Sequence, residues 1–364
     1  MKIITVVGAR PQFVKAALIS GEFKKRNINE IILHTGQHYD ENMSNIFFKQ
    51  MDIPEPRYNL NIQATSHGSM TGRMLEGIEE ILLAENPDLL LVYGDTNSTL
   101  AGALAARKLN ISIAHVEAGL RNFDFTIPED VNRTLTDRVS DLLFCPTDTA
   151  IKNLQEEGFE KFPCKLIRTG DLMADSVSVF CKLIDEHPEQ LDKQVLQLPQ
   201  NGILVTIHRQ ETTKIGIIEH VIEFLNQLAA EHPVIFPIHP RTRKVIRDQQ
   251  LVLHKNIHCI DPVGYLDMQY LLRSCKHVIT DSGGLQKEAY LHKRKSLLLM
   301  NFTPWIELIE TQCTLTTELT QPMMWERFQQ TLSLPANFES NLYGEGNSRE
   351  KIVDEIIQYL NEKL

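Results

Sequence analysis

Residues 87–119 read "PDLLLVYGDTNSTLAGALAARKLNISIAHVEAG", and this stretch decides the fold. An apolar run, "LLLVYGD", stops at a glycine and a carboxylate. The small-residue stretch "STLAGALAARK" follows, and a second apolar run, "ISIAHVEAG", stops at another carboxylate. Strand, helix, strand is the repeating unit of a parallel, doubly wound sheet. The same rhythm extends outward through "KIITVVG", "NEIILHTG" and "DLLFCPT", with amphipathic segments such as "GRMLEGIEEILLAENP" between. It resumes with "GILVTIHR", "HPVIFPIHP", "NIHCIDPVG", "KHVITDSGG" and "KSLLLMNF". Between the two series the polar, strand-poor stretch from Asp185 to Gly202 reads as a linker.

The expected fold is therefore α/β, with two Rossmann-like domains. A chain of 364 residues, 42% hydrophobic and 23% charged, agrees, because a single hydrophobic core stops growing near this size. Net charge is −10, and no basic run is long enough to follow a nucleic-acid backbone. The N-terminal "MKIITVVGARPQF" is too short in apolar residues for a secretory signal or a membrane span, so a cytoplasmic protein is expected. Cys145, Cys164, Cys181, Cys259, Cys275 and Cys313 form no C-x-x-C pair and read as reduced structural residues. The tail "SREKIVDEIIQYLNEKL" spaces Ile352, Val353, Ile356, Ile357 and Leu360 as an amphipathic helix.

Ligands of open parallel sheets bind outside the carboxyl ends of the strands, so the residue after each apolar run matters most. After the first run Gly8 permits the turn, Arg10 opens a helix and Lys15 follows, a combination that favours a phosphate. After the second stand Gln37 and His38. Asp95 ends one strand and either caps the next helix or works as a functional carboxylate. Glu117 ends the neighbouring strand, and Glu129 follows in "PEDVNR", with Arg133 one turn on. Carboxylates collected in this way suit proton transfer. Companion histidines at metal-ligand spacing are missing, so no metal is expected.

The second series supplies His208, Arg209 and Glu211 in "VTIHRQE", and His239, Arg241 and Arg243 in "PIHPRTRK". Its "TDSGGLQKEA" places Ser282, Gly283 and Gly284 where a strand turns into a helix, a natural cradle for an anion. Glu288, nearly two turns in, is either solvated or within reach of a sugar hydroxyl.

Taken together, "VVGARPQFVK", "HTGQHYDENM", "YGDTNSTLAGALAA", "HVEAGLR", "PEDVNRTLTD", "HPRTR", "DSGGLQKEA" and "YGEGNS" run in order along nearly the whole chain. In this the sequence resembles the non-hydrolysing UDP-N-acetylglucosamine 2-epimerases. "GARPQF", "SDLLFCPT" and "PVGYLDM" are most similar to members of surface-polysaccharide pathways, some of which act on UDP-2,3-diacetamido-2,3-dideoxy-glucuronate. The resemblance implies a glycosyltransferase-B-like fold with the active site in the interdomain cleft. The domains would span 1–170 and 171–348, and a helix at 349–364 would pack back on the first domain. It also implies C2 epimerisation without NAD or any other cofactor, through elimination of UDP to a 2-acetamidoglucal and re-addition, in a homodimer. Hydrolysis to free ManNAc and UDP, glycosyl transfer and UDP-sugar sensing are the alternatives on the same fold.

Carried over by motif, Asp95, Glu117 and Glu129 become the acid-base candidates, with His208 counted among the catalytic residues. His208, Arg10, Ser282, Gly283 and Gly284 would hold the diphosphate, with Lys15, Arg133 and Arg241 in support and Glu288 on the ribose. Gln37, His38, Arg73, Arg209 and His239 would be the remnant of an allosteric site, weakened by Asp40. Three departures from the family pattern stand out. Pro304 lies in "NFTPWIE", where relatives read D-E-T-E-W-P-E or D-T-T-E-R-P-E, although Thr303 and Glu307 are kept. Arg138 replaces a histidine, adding a cation suited to an acidic sugar, and Lys287 replaces a glutamate.

Overall fold

The computed structural model describes residues 1–36, 55–62 and 66–363, with all their side chains except those of Arg10 and Pro11. The chain divides into two compact units, Met1–Ser176 together with Leu342–Leu364, and Val177–Asn341.

In the first unit the described strands are β1 (Lys2–Val7), β2 (Asn29–His34), β3 (Tyr58–Asn59), β4 (Leu89–Tyr93), β5 (Ser112–Val116), β6 (Leu142–Cys145) and β7 (Lys165–Arg168). They form one parallel sheet in the order β3-β2-β1-β4-β5-β6-β7. Every residue of β4 and β5 is buried, as expected of central parallel strands covered on both faces. The second unit repeats the plan with β8 (Ile203–Thr206), β9 (Val234–Pro237), β10 (Ile257–Ile260), β11 (His277–Thr280), β12 (Lys295–Leu298) and β13 (Thr314–Thr316). Their order is β10-β9-β8-β11-β12-β13, again parallel. Strand alternation splits its core: Ile203 and Val205 join Phe224, Phe236 and Phe328 on one face, and Leu204 joins Ile235, Leu271 and Val278 on the other.

Each unit thus has the Rossmann order. The chain starts at the centre of the sheet, winds to one edge, and returns to lay a strand on the other side of the first. The topological switch point lies between β1 and β4 in one unit and between β8 and β11 in the other.

Two expectations change. The stretch 185–202 is not a free linker, because it lies within the second unit, where Val195 joins the core and the Asp192 amide donates to Asp267 Oδ1 at 2.9 Å. Gly8 has no turn conformation to supply. A Cβ there would run into the hydroxyls of Thr35 and Ser98, so the glycine serves the close approach of strand and helix. The helix Ser348–Lys363 belongs to the first unit and buries Ile352, Val353, Ile356 and Leu360. Asp175 accepts from the Ser348 and Arg349 amides at its start, and Arg26 pairs with Asp354 on its flank.

Candidate functional site

At the first switch point the ends of β1 and β4 are stitched together by Gln12, a fully buried side chain. Its Oε1 accepts from the Gly8 and Ala9 amides at 2.8 and 3.0 Å, and its Nε2 donates to the Tyr93 carbonyl at 2.8 Å. Arg10 opens the helix Arg10–Lys25 immediately beyond. Its side chain, like the whole of Gln37, His38 and Asp40, lies outside the described residues.

Asp95 follows β4 but does not cap the next helix. Thr96 does, accepting from the Thr99 amide at 3.3 Å, which leaves the Asp95 carboxylate to other work. That carboxylate, about one third exposed, is paired with Nη2 of the buried Arg133. Asn132 Nδ2 donates to the Asp95 carbonyl at 2.9 Å. Glu117, the first residue past β5, stands at φ 72, a left-handed backbone that a glutamate adopts only under constraint. Its carboxylate is paired with Nζ of Lys15. Lys15 was expected to support the diphosphate; in the structure its ammonium lies against the carboxylate, beside a small recess also lined by Pro146, Gly170 and Asp171. Glu129 is exposed in the first turn of the helix Pro128–Val139. Its neighbour Asp130 is fully buried and accepts from the Asn122 and Asp124 amides at 3.0 and 3.1 Å, so it braces the preceding loop.

In the second unit His208 and Arg209 follow β8, and Asp281 follows β11. Asp281, fully buried, was passed over in the sequence, although it too stands directly at a strand end. Its oxygens accept from the His208 amide at 2.9 Å and the Arg209 amide at 2.8 Å, and Oδ1 lies 3.0 Å from His208 Nδ1. Burial works to raise the pKa of Asp281. The contacts with the His208 imidazole and the two amides outweigh it and hold the carboxyl below its usual range. The carboxylate fixes the ring orientation by engaging Nδ1. Arg241 is exposed, with Nη1 3.5 Å from the His208 carbonyl, and the His239 ring lies 6.5 Å from that of His208.

Ser282 caps the helix Gly283–Leu291, its Oγ accepting from the Leu285 amide at 3.3 Å. Gly283 and Gly284 behave differently from Gly8. Neither has a left-handed φ. A Cβ at Gly283 would meet nothing within 4 Å, and one at Gly284 only Ser282 Oγ at 4.0 Å. Neither packing nor backbone conformation demands glycine here, and the space over the helix N-terminus is open. Glu288 is buried rather than solvated, and Gln269 Nε2 donates to its Oε1 at 2.9 Å. Arg73 is exposed. Among the described residues no three His, Cys, Asp or Glu side chains gather as metal ligands, and no helix is long and apolar enough to cross a membrane. The six cysteines are free.

Residues 22–357 match the family model described as UDP-N-acetylglucosamine 2-epimerase. The chain belongs to the UDP-N-acetylglucosamine 2-epimerase family. It is similar to the UDP-2,3-diacetamido-2,3-dideoxy-D-glucuronate 2-epimerase of Pseudomonas aeruginosa, 45% identical over 97% of this chain and 99% of that one. A UDP-N-acetylglucosamine 2-epimerase homolog of Methanococcus maripaludis is 47% identical over 97% and 99%. Among solved structures, the Methanocaldococcus jannaschii UDP-GlcNAc 2-epimerase in complex with UDP-GlcNAc and UDP superposes with a TM-score of 0.88. It is 37% identical and covers 99% of this chain and 100% of that one.

One departure from the epimerase family pattern, Lys287, packs on the residue next to another, Pro304. Lys287, 2% exposed, places its ammonium 3.7 Å from the ring centre of Trp305 in the altered loop. Thr303 in the same loop donates to Gln286 Oε1 at 3.1 Å. A lysine at 287 therefore has an aromatic face to rest on. Arg138, expected as a cation for an acidic sugar, instead lies against the rings of Phe159 and Phe162, 4.4 and 4.9 Å from their centres, and donates to the Glu157 carbonyl at 3.2 Å.

Proposed function

We propose that the protein epimerises C2 of a UDP-N-acetylated hexosamine without hydrolysing it. The observation that carries this reading is the division of chemistry between the units. The first holds two carboxylates, Asp95 and Glu117, each with its own fixed cation, Arg133 and Lys15. The second holds the bare helix N-terminus at Ser282–Gly284 and a histidine oriented by Asp281. In this reading one carboxylate takes the C2 proton. The C2–H electrons form the C1=C2 bond as the C1–O bond breaks, and UDP leaves with the pair. His208, the Gly283 and Gly284 amides and Arg10 receive the charge that develops on the diphosphate. UDP then adds back to C1, and a second acid, from Asp95, Glu117 or Glu129, returns a proton to C2 on the opposite face. Glu288 takes the ribose, Arg241 supports the diphosphate, and Arg73, Arg209 and His239 form what remains of a regulatory site. Either UDP-GlcNAc or the diacetamido-uronate is the substrate, and the working form is a cytoplasmic homodimer.

Incubation with each sugar nucleotide in deuterated water tests the reading. Deuterium at C2 of both recovered substrate and UDP-linked product is expected for one of them. Free ManNAc with UDP would show a hydrolysing enzyme, and absence of exchange with both sugars would refute epimerisation. Asp95→Asn and Glu117→Gln should each lower turnover by roughly two to four orders of magnitude with UDP binding retained. Sedimentation at working concentration reads the oligomeric state, with a species of twice the chain mass expected.

A further inference from the structure

Behind Asp95 and Glu117 lies a network that none of the expected roles uses. Asp137, in the last turn of helix Pro128–Val139, has no exposed surface. Its Oδ2 accepts from the Gly119 amide at 3.1 Å and from Arg121 Nη1 at 2.7 Å, and its Oδ1 lies 2.7 Å from Nδ1 of His115, equally buried in β5. The other His115 nitrogen, Nε2, lies 2.7 Å from the carbonyl of Gly94. Arg121 is itself gripped by Glu157 at 2.6 and 3.1 Å. Burial opposes the charge on Asp137, and His115 and Arg121 overcome it, holding the carboxyl below its ordinary pKa.

The network grips particular backbone. Gly94 precedes Asp95 and takes φ 62 without strain, as glycine can, while His115 and Gly119 bracket Glu117, which stands at φ 72. For a glutamate such a conformation persists only where the surroundings over-determine it. A chain of two contacts, Gly94 carbonyl to His115 and His115 to Asp137, runs from the Asp95 turn to the carboxylate that also holds the far side of the Glu117 turn.

We propose that His115 and Asp137 are positioning residues that lock the turn bearing Asp95 to the turn bearing Glu117, so that the two carboxylates keep a fixed spacing. Neither side chain touches substrate. The inference rests on the epimerase reading for its kinetic consequence and on geometry alone for its structural one.

Two substitutions at one position separate positioning from bulk stability. His115→Asn keeps a polar group near the Nδ1 site, facing Asp137, and loses the reach to Gly94. His115→Gln extends an amide toward the Nε2 site and keeps that reach. His115→Asn should lower kcat about 10- to 100-fold, the scale expected when a reacting group shifts by about an ångström, with KM and UDP affinity unchanged. His115→Gln should recover most of the loss. In parallel, amide hydrogen exchange at residues 94–97 should quicken in His115→Asn, return in His115→Gln and stay constant over β8 to β13 in both. Wild-type kcat in His115→Asn, or equal kcat losses in the two variants, overturns the proposal. If the wild type turns over no UDP-sugar, the epimerase reading has failed instead, and hydrogen exchange alone decides: unchanged exchange at 94–97 in His115→Asn overturns the lock.

Discussion

Replacement of Gly283 by alanine separates fold from ligand binding. Gly283 is the first residue of its helix, a Cβ there meets no protein atom within 4 Å, and its φ is not left-handed. Alanine is favoured over glycine in a helix by up to about 1 kcal/mol, through the backbone freedom that glycine loses on folding. For a unit of this size 1 kcal/mol moves Tm by about 2–4 °C, so Gly283→Ala should melt at the wild-type temperature or up to about 4 °C above it. Binding should move the other way. If the amides at the helix start receive a diphosphate, the new methyl stands where its oxygens approach. Losing two hydrogen bonds to a charged group, each about 1.5–3 kcal/mol, weakens UDP by at least about 100-fold. Calorimetric titration with UDP and a thermal melt on the same sample read both numbers. Wild-type UDP affinity in the alanine variant would refute the cradle, and a fall in Tm of more than about 5 °C would refute the packing argument.

Asp281→Asn should weaken UDP binding and lower Tm, because an amide that keeps its oxygen on the His208 and Arg209 amides turns an uncharged NH2 toward His208 Nδ1 in place of a carboxylate oxygen; titration of the variant at wild-type affinity would count against His208 as an oriented group. A double-mutant cycle on Lys287→Met and Trp305→Leu, followed by urea unfolding, should return a coupling of about 1–2 kcal/mol, and a value near zero would show that the aromatic face contributes nothing to holding the lysine. His277 and His292 are held at about 4, chiefly by burial and then by nearby cations, against 6.5 for the free side chain. Acid therefore favours the unfolded chain, which takes up protons first. Stability should be full above pH 6.5 and fall below it, by about 2 kcal/mol per histidine at pH 5. A urea midpoint unchanged between pH 7 and pH 5 would contradict this.

The strands that announced themselves in the sequence are the interior ones, since burial requires an unbroken apolar run, together with the edge strand β10. β3, β7 and β13 gave no such signal. Each is an edge strand of two to four residues, paired on one side only, and edges need neither length nor apolar character. The site divides in the same way. Asp95, Glu117, His208 and Ser282 were legible because each stands just past an apolar run. Gln12 escaped because its function exists only once the ends of β1 and β4 lie side by side. Asp281 was within reach of the strand-end rule, but a side chain that binds backbone amides carries no composition signal of its own. Lys15 was correctly placed near the strand ends, yet which anion it would meet, a phosphate or Glu117, depended on the third dimension.

The left-handed backbone of Glu117 has an evolutionary consequence. At φ 72 a glycine would sit at ease, while a glutamate stores on the order of 1 kcal/mol or more of strain. Glu117→Gly should therefore relieve that backbone at the expense of the carboxylate. A lineage that kept the fold only to sense UDP-sugars would be free to drift toward glycine at this position.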